Sequence, residues 1–211
     1  MRIRGFKHRE RREANGEKGG VSRLILLLFG LFAGGIAFGA LMAGNGSAEA
    51  MGVLQSATSL FSAERASQPL FTTFVHSISA SGSLLLLLFF CGFWAVGQPV
   101  ELFIPLFKGL GLGMSMGYLY LYYHLKGVLF SLALILPQAF LSSLAIILAG
   151  KESIQMSSLL FKMLAGGREN AGGLSIVRLY CTKFMILGGM ILLAALVDCV
   201  CTFAFARFFV M

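Results

Sequence analysis

Charged residues are scarce in this 211-residue sequence: Asp, Glu, Lys and Arg make up 12% of it, whereas 57% is hydrophobic. A water-soluble domain carries about 25% charged residues, so this chain has too few to cover a surface in water. Its mean hydropathy of +0.84 indicates the same. The composition excludes an ordinary soluble domain and predicts an all-α integral membrane bundle surrounded by lipid.

Motifs of common enzyme and metal sites are also lacking. The chain contains no H-E-x-x-H and no P-loop, and its three histidines show no metal-ligand spacing. The four cysteines form no C-x-x-C, so we interpret them as small apolar side chains rather than disulfides or zinc ligands. We therefore predict no catalytic residues, no cofactor, no metal site and no enzyme activity.

Positive charge is concentrated at the N-terminus. Of 17 Lys and Arg residues, eight fall within the first 23 positions, and the net charge is +8. A basic tail can bind nucleic acid, but directly before an apolar span an anchor facing anionic lipid is the better interpretation. We expect membrane lipid as a partner and no nucleic acid.

Apolar runs of membrane-spanning length predict about five transmembrane helices. The N-terminal run is longer than the apolar core of a signal peptide, so we interpret it as a retained helix. The predicted segments are a basic cytoplasmic tail (1–23), span 1 (24–42), an external loop with an amphipathic segment (43–80), span 2 (81–96), span 3 (100–122), span 4 (127–149), a cytoplasmic loop (150–183) and span 5 (184–210).

Turn residues and loop charges complete this topology. Gly97-Gln98-Pro99 and His124-Leu125-Lys126 predict tight turns, and Pro137 predicts a kink in the middle of span 4. Basic residues are abundant in the tail and in the loop 150–183 but sparse in the other connections. The excess of cations on cytoplasmic loops predicts a cytoplasmic N-terminus and an external C-terminus.

Three ionisable residues fall within the predicted spans, where a charge is costly: Glu101, Lys108 and Asp198. We expect lipid headgroups to hydrate Glu101, and Lys108 to extend back toward the cytoplasm on the same helix face. Interfacial anchoring and a polar contact inside the bundle remain alternatives for both. Asp198 lies deeper, which argues against a direct pair with Lys108 and leaves either a structural role or a partner contact.

Glycines at four-residue spacing predict close helix packing. Span 3 contains Gly109, Gly113 and Gly117, and span 1 contains the pairs Gly30/Gly34 and Gly35/Gly39. Residues four apart share a helix face, so another backbone can approach closely there. The neighbour can belong to the same chain, to a second copy in a homo-oligomer, or to another protein.

Spans 3 and 4 carry a longer pattern, GQPVELFIPLFKGLGLGMSMGYL followed by LKGVLFSLALILPQAF. In these segments, and in an acidic residue late in the last span, the chain resembles the stage II sporulation protein M family. The matching positions are Pro99, Lys108, Gly109, Gly113, Gly117, Gly127, Pro137, Gln138 and Asp198.

The resemblance implies a membrane scaffold of the peptidoglycan-degrading engulfment complex during endospore formation. It implies two partners that act outside the membrane on the septal wall: a lytic transglycosylase like stage II sporulation protein D and an amidase like stage II sporulation protein P. The location implied is the sporulation septum or the engulfing mother-cell membrane. The alternative is a small transporter or a transporter's membrane subunit, motivated by Glu101, Lys108, Asp198 and the proline in span 4.

Overall fold

The computed structural model describes residues 3–45, 70–94, 97–131, 135–166 and 173–205. Within them it contains five helices and no strand, as predicted for an all-α bundle. The helices are α1 (Ile3–Asn45), α2 (Leu70–Cys91), α3 (Gln98–Phe130), α4 (Leu136–Gly166) and α5 (Gly173–Phe205). The amphipathic segment predicted for the external loop lies largely in residues 46–69, outside the described residues.

Four described segments are long and apolar enough to cross a membrane. They are Ser22–Gly44, Gln98–Leu121, Leu136–Met163 and Ser175–Phe203, with a shorter apolar stretch in α2 at Ser77–Cys91. Large apolar side chains cover the outside of the bundle, as shown by Met185 at 78% exposure. Such a surface requires lipid around it, which identifies the chain as a membrane protein. The sides on which the termini lie stay a prediction.

The core lies mainly between α2, α4 and α5. Leu88 of α2 and Ile146 of α4 are fully buried there, beside Phe184 of α5. A smaller cluster joins α1 to α4 through Leu28 and Ile147. Lipid tails are as apolar as these side chains, so close packing and interhelical polar contacts hold the helices together rather than exclusion from water.

The break between the third and fourth helices differs from the prediction. Helix α3 continues without interruption through 124–126, where a turn was expected, and α4 begins at Leu136. Pro137 lies one residue after the start of α4, and because residues 132–134 lie outside the described residues, the kink expected at Pro137 stays a prediction. Another proline, Pro105, lies inside α3.

The segment 150–183, predicted as a cytoplasmic loop, is largely helical. Helix α4 extends to Gly166 and α5 begins at Gly173. Residues 153–164 thus belong to the end of α4 rather than to a loop. After α2, residues 92–94 form turns, and Gly97 N–H bonds to Trp94 O at 3.0 Å before α3 begins. Pro99 follows in the first turn of α3.

Candidate functional site

The three glycines of span 3 lie against α1 of the same chain. A methyl group built on Gly113 would stand 2.8 Å from the backbone carbon atoms of Ile36, and one on Gly117 would stand 2.9 Å from the Ala43 Cβ. At Gly109 the obstacle is the backbone of Phe32. Only a residue without a side chain fits at such a backbone crossing.

Helix α1 meets this surface with glycines of its own. A methyl group on Gly35 would contact the backbone of Leu106 and Leu110, and one on Gly39 would lie 2.9 Å from Met114 N. Gly30 and Gly34 have nothing within 4 Å and lie on a different face of α1. Of the two pairs in span 1, Gly35/Gly39 therefore makes the crossing with α3, and Gly30/Gly34 does not.

Glu101, at the first turn of α3, is fully buried. Its Oε1 lies 2.7 Å from Ser153 Oγ of α4, and the same hydroxyl lies 2.7 Å from the Leu88 carbonyl oxygen of α2. Hydration of Glu101 by headgroups, expected from the sequence, is wrong because α2 and α4 cover this end of α3.

The Ser153 hydroxyl has a single proton, which limits how these contacts form. A carbonyl oxygen can only accept, so the contact with Leu88 O requires Ser153 to donate. Both contacts form together when the Glu101 carboxyl group carries a proton and donates it to Ser153 Oγ. In the other arrangement Ser153 Oγ donates to Glu101 Oε1, and Tyr180 Oη, 3.4 Å from Leu88 O, donates to that carbonyl. The second carboxyl oxygen, Oε2, has no hydrogen-bond partner among the described residues.

Two further carbonyl groups, at the end of α2 and in the turn that follows it, also accept hydrogen bonds from hydroxyl groups. Tyr180 Oη of α5 donates to Phe89 O at 3.0 Å, and Ser157 Oγ of α4 donates to Trp94 O at 2.8 Å. The last carbonyls of a helix have no partner within it, so Tyr180 satisfies Phe89 O, whereas Trp94 O, beyond the end of α2, also accepts from Gly97 N–H. Gly92 leaves room for the phenol, since a methyl group there would lie 2.9 Å from Tyr180 Cζ.

The sequence suggested that Lys108 extends toward Glu101, and the structure does not show this. Lys108 Nζ donates to Ser81 Oγ of α2 at 3.2 Å. One turn along α2, Ser77 Oγ accepts from Gln138 Nε2 of α4 at 2.6 Å. Lys108 and Gln138 both belong to the family pattern, and they thus bind neighbouring serines on one face of α2.

Asp198 is fully buried on α5. Thr202, four residues later and 4% exposed, lies on the same helix face. Their burial places polar groups on the inner face of α5, whereas Leu196 and Val200 face outward. A location inside the bundle agrees with the structural alternative for Asp198.

The structure adds an ion-pair cluster that the sequence analysis did not identify. Glu152 Oε1 lies 2.7 Å from Lys151 Nζ, and its Oε2 lies 2.6 Å from Lys183 Nζ. Lys151 and Lys183 were counted as loop cations because 150–183 was predicted to be a loop. The signal that could have found them is the helical spacing that continues from α4 past Ala149.

Residues Gly113 to Gly117 read GMSMG, which matches the G-x-S-x-G motif of serine hydrolases. That motif requires a sharp turn between a strand and a helix. Here Ser115 lies inside α3, is exposed, and donates to Gly111 O at 2.9 Å. The match therefore reflects the glycine spacing of the crossing with α1.

Among the described residues there is also no cluster of three His, Cys, Asp or Glu side chains able to hold a metal ion.

Comparison with known families supplies the remaining evidence. The family model for stage II sporulation protein M matches residues 28–202, more than four fifths of the chain. Neither the curated proteins nor the solved structures gave a match. The matched region begins in the apolar part of α1 and ends near the end of α5, so it includes the glycine crossing and the polar contacts around Glu101, Lys108 and Gln138. The chain belongs to the stage II sporulation protein M family and is a sporulation-related membrane protein.

Proposed function

We propose that this protein is a non-enzymatic membrane scaffold for the peptidoglycan-degrading complex that acts during engulfment in endospore formation. The observation that supports this most directly is the use of the buried polar groups. Glu101, Lys108 and Gln138 each bind a serine on a neighbouring helix. These contacts hold α2, α3 and α4 in a fixed arrangement, which suits an anchor.

Two wall hydrolases are the proposed partners: a lytic transglycosylase like stage II sporulation protein D and an amidase like stage II sporulation protein P. Family membership supports this choice. The proposed location is the sporulation septum and the engulfing mother-cell membrane. In the predicted orientation, the connection 46–69 between α1 and α2 lies outside, on the side where both hydrolases act.

The transporter alternative gains no specific support. A cavity of about 180 Å³ lies between α4 and α5, and its lining includes Glu152, Met156 and Lys183. Glu101, Lys108 and Asp198 do not line it. The three ionisable residues that motivated transport are thus placed apart from this cavity.

Co-purification from sporulating cells tests the scaffold function. The tagged full chain, a chain lacking residues 46–66, and a chain with the same stretch replaced by Gly and Ser are extracted in detergent at the engulfment stage. We expect both hydrolases to co-purify with the full chain and to be lost from both altered chains, because the loop supplies the external surface. The replacement keeps the length of the connection and so separates loss of contact from a shortened loop.

Absence of both hydrolases with the intact chain would contradict the scaffold proposal. Retention of both by the two altered chains would contradict docking through residues 46–66 and assign it to the spans.

A further inference from the structure

A groove between α4 and α5 plays no part in the proposed scaffold function. It has a volume of about 180 Å³ and is lined by Glu152, Gln155, Met156, Leu159, Ile176, Leu179, Tyr180 and Lys183. Leu179 is 58% exposed, and the Lys183 side chain is 41% exposed. The groove therefore opens on the outer surface of the bundle.

The charge at this groove is positive. One carboxylate, Glu152, contacts two ammonium groups, those of Lys151 and Lys183. An ammonium group has three N–H donors, and Lys183 uses one of them on Glu152 Oε2. Lys183 thus keeps donors for an anion in the groove, and the amide of Gln155 adds another.

The surroundings of Lys183 are those of a lipid-facing surface. Ile186 is 64% exposed and Leu193 is 58% exposed, beyond Lys183 on the adjoining face of α5. The apolar segment Ser175–Phe203 contains 29 residues, or about 43 Å of helix, which matches a bilayer including its headgroups. Lys183 lies eight residues from the start of this segment, about 12 Å in and about 5 Å inside the hydrocarbon boundary, a distance that an extended lysine side chain can span to reach the headgroups.

We propose that the α4–α5 groove binds an acidic phospholipid. The anionic headgroup contacts Lys183 and Gln155, and the acyl chains lie along Ile186 and Leu193, which are on the adjoining face of α5. A lipid is favoured over a soluble anion because the groove opens among exposed apolar side chains. Glu152 balances one of the two cations, Lys151 and Lys183, and an anionic headgroup would balance the other, which is otherwise costly near the hydrocarbon region.

Native mass spectrometry of the full chain tests this site. The chain is released from bilayers containing equal amounts of phosphatidylglycerol and phosphatidylcholine, and the ratio of the two retained lipids is measured. Lys183→Gln should lower the preference for phosphatidylglycerol about fivefold, the effect of one lysine at an anionic surface. Leu159→Trp should lower retention by filling the groove without changing its charge.

The matched control is Arg178→Gln, a cation on the same helix that does not line the groove. It should retain the wild-type lipid ratio. Equal losses from the Lys183 and Arg178 variants would overturn the proposal in favour of general surface charge, as would full retention by Leu159→Trp. Displacement of the lipid by excess inorganic phosphate would overturn it in favour of a small-anion site. If Lys183→Gln fails to fold, Leu159→Trp decides the question alone.

Discussion

At the residue scale, the contact between Glu101 and Ser153 connects three helices through one hydroxyl group. Ser153 Oγ lies 2.7 Å from both the Glu101 carboxyl group and the Leu88 carbonyl oxygen. A buried acceptor or donor that loses its partner costs about 1–3 kcal/mol. The arrangement therefore depends on a donor at position 101 as much as on the serine.

Glu101→Gln and Glu101→Ala should differ in stability for this reason. The Gln amide can donate to Ser153 Oγ as a protonated carboxyl group does, so we expect a loss below about 1 kcal/mol. Alanine removes the contact and leaves a void, and we expect a loss of about 2–3 kcal/mol. Unfolding of the purified variants in detergent measures both values. Equal losses for the two variants would show that position 101 supplies no donor to Ser153.

The sequence identified Glu101, Lys108 and Gln138 but not their contacts. Each partner is a serine far along the chain, as with Lys108 and Ser81. Serine is common and is tolerated on any helix face, so its role becomes visible only when two helices are placed side by side. Burial of Glu101 depends on the same placement, and for this reason hydration by headgroups was a wrong expectation.

At the element scale, the crossing of α1 and α3 follows from glycine spacing, and the helix ends do not follow from hydropathy. Spacing predicted close packing at Gly109, Gly113 and Gly117, and the structure supplies α1 as the neighbour. Hydropathy falls after Leu121, yet α3 continues to Phe130. Polar residues such as lysine are good helix formers, so a helix can extend beyond its apolar segment. The predicted turn at 124–126 was wrong for this reason.

Gly113→Ala and Gly111→Ala form a matched pair for this crossing. The methyl group at position 113 would collide with the backbone of Ile36, whereas the one at 111 meets nothing within 4 Å. We expect Gly113→Ala to destabilise the protein by about 1–3 kcal/mol through overpacking. Gly111→Ala should be neutral or stabilise it by up to about 1 kcal/mol through helix propensity. Thermal unfolding in detergent checks both, and equal effects would contradict a backbone contact at Gly113.

At the scale of the whole molecule, polar contacts and loop charges together define two ends of the bundle. The turn before α3 lies at one end, where Ser157 binds Trp94 O. The end of the apolar segment of α1 lies at the other, where Ala43 contacts Gly117, sixteen residues along α3 from Glu101. Gly44 and Trp94 are therefore on opposite sides of a membrane that surrounds the bundle. The positive charge of the N-terminal tail predicts which side is cytoplasmic.

Cysteine labelling in intact cells tests this orientation. The four native cysteines are replaced by serine or alanine, and a single cysteine is introduced at Gly44 or at Trp94, both exposed positions. A membrane-impermeant maleimide should label Gly44→Cys in intact cells and label Trp94→Cys only after permeabilisation, because the Trp94 end lies on the side of the basic tail. A permeant maleimide should label both and controls for accessibility. The reverse pattern would place residues 46–66 inside the cell, away from the cell wall, and would exclude that loop as the docking surface for wall hydrolases.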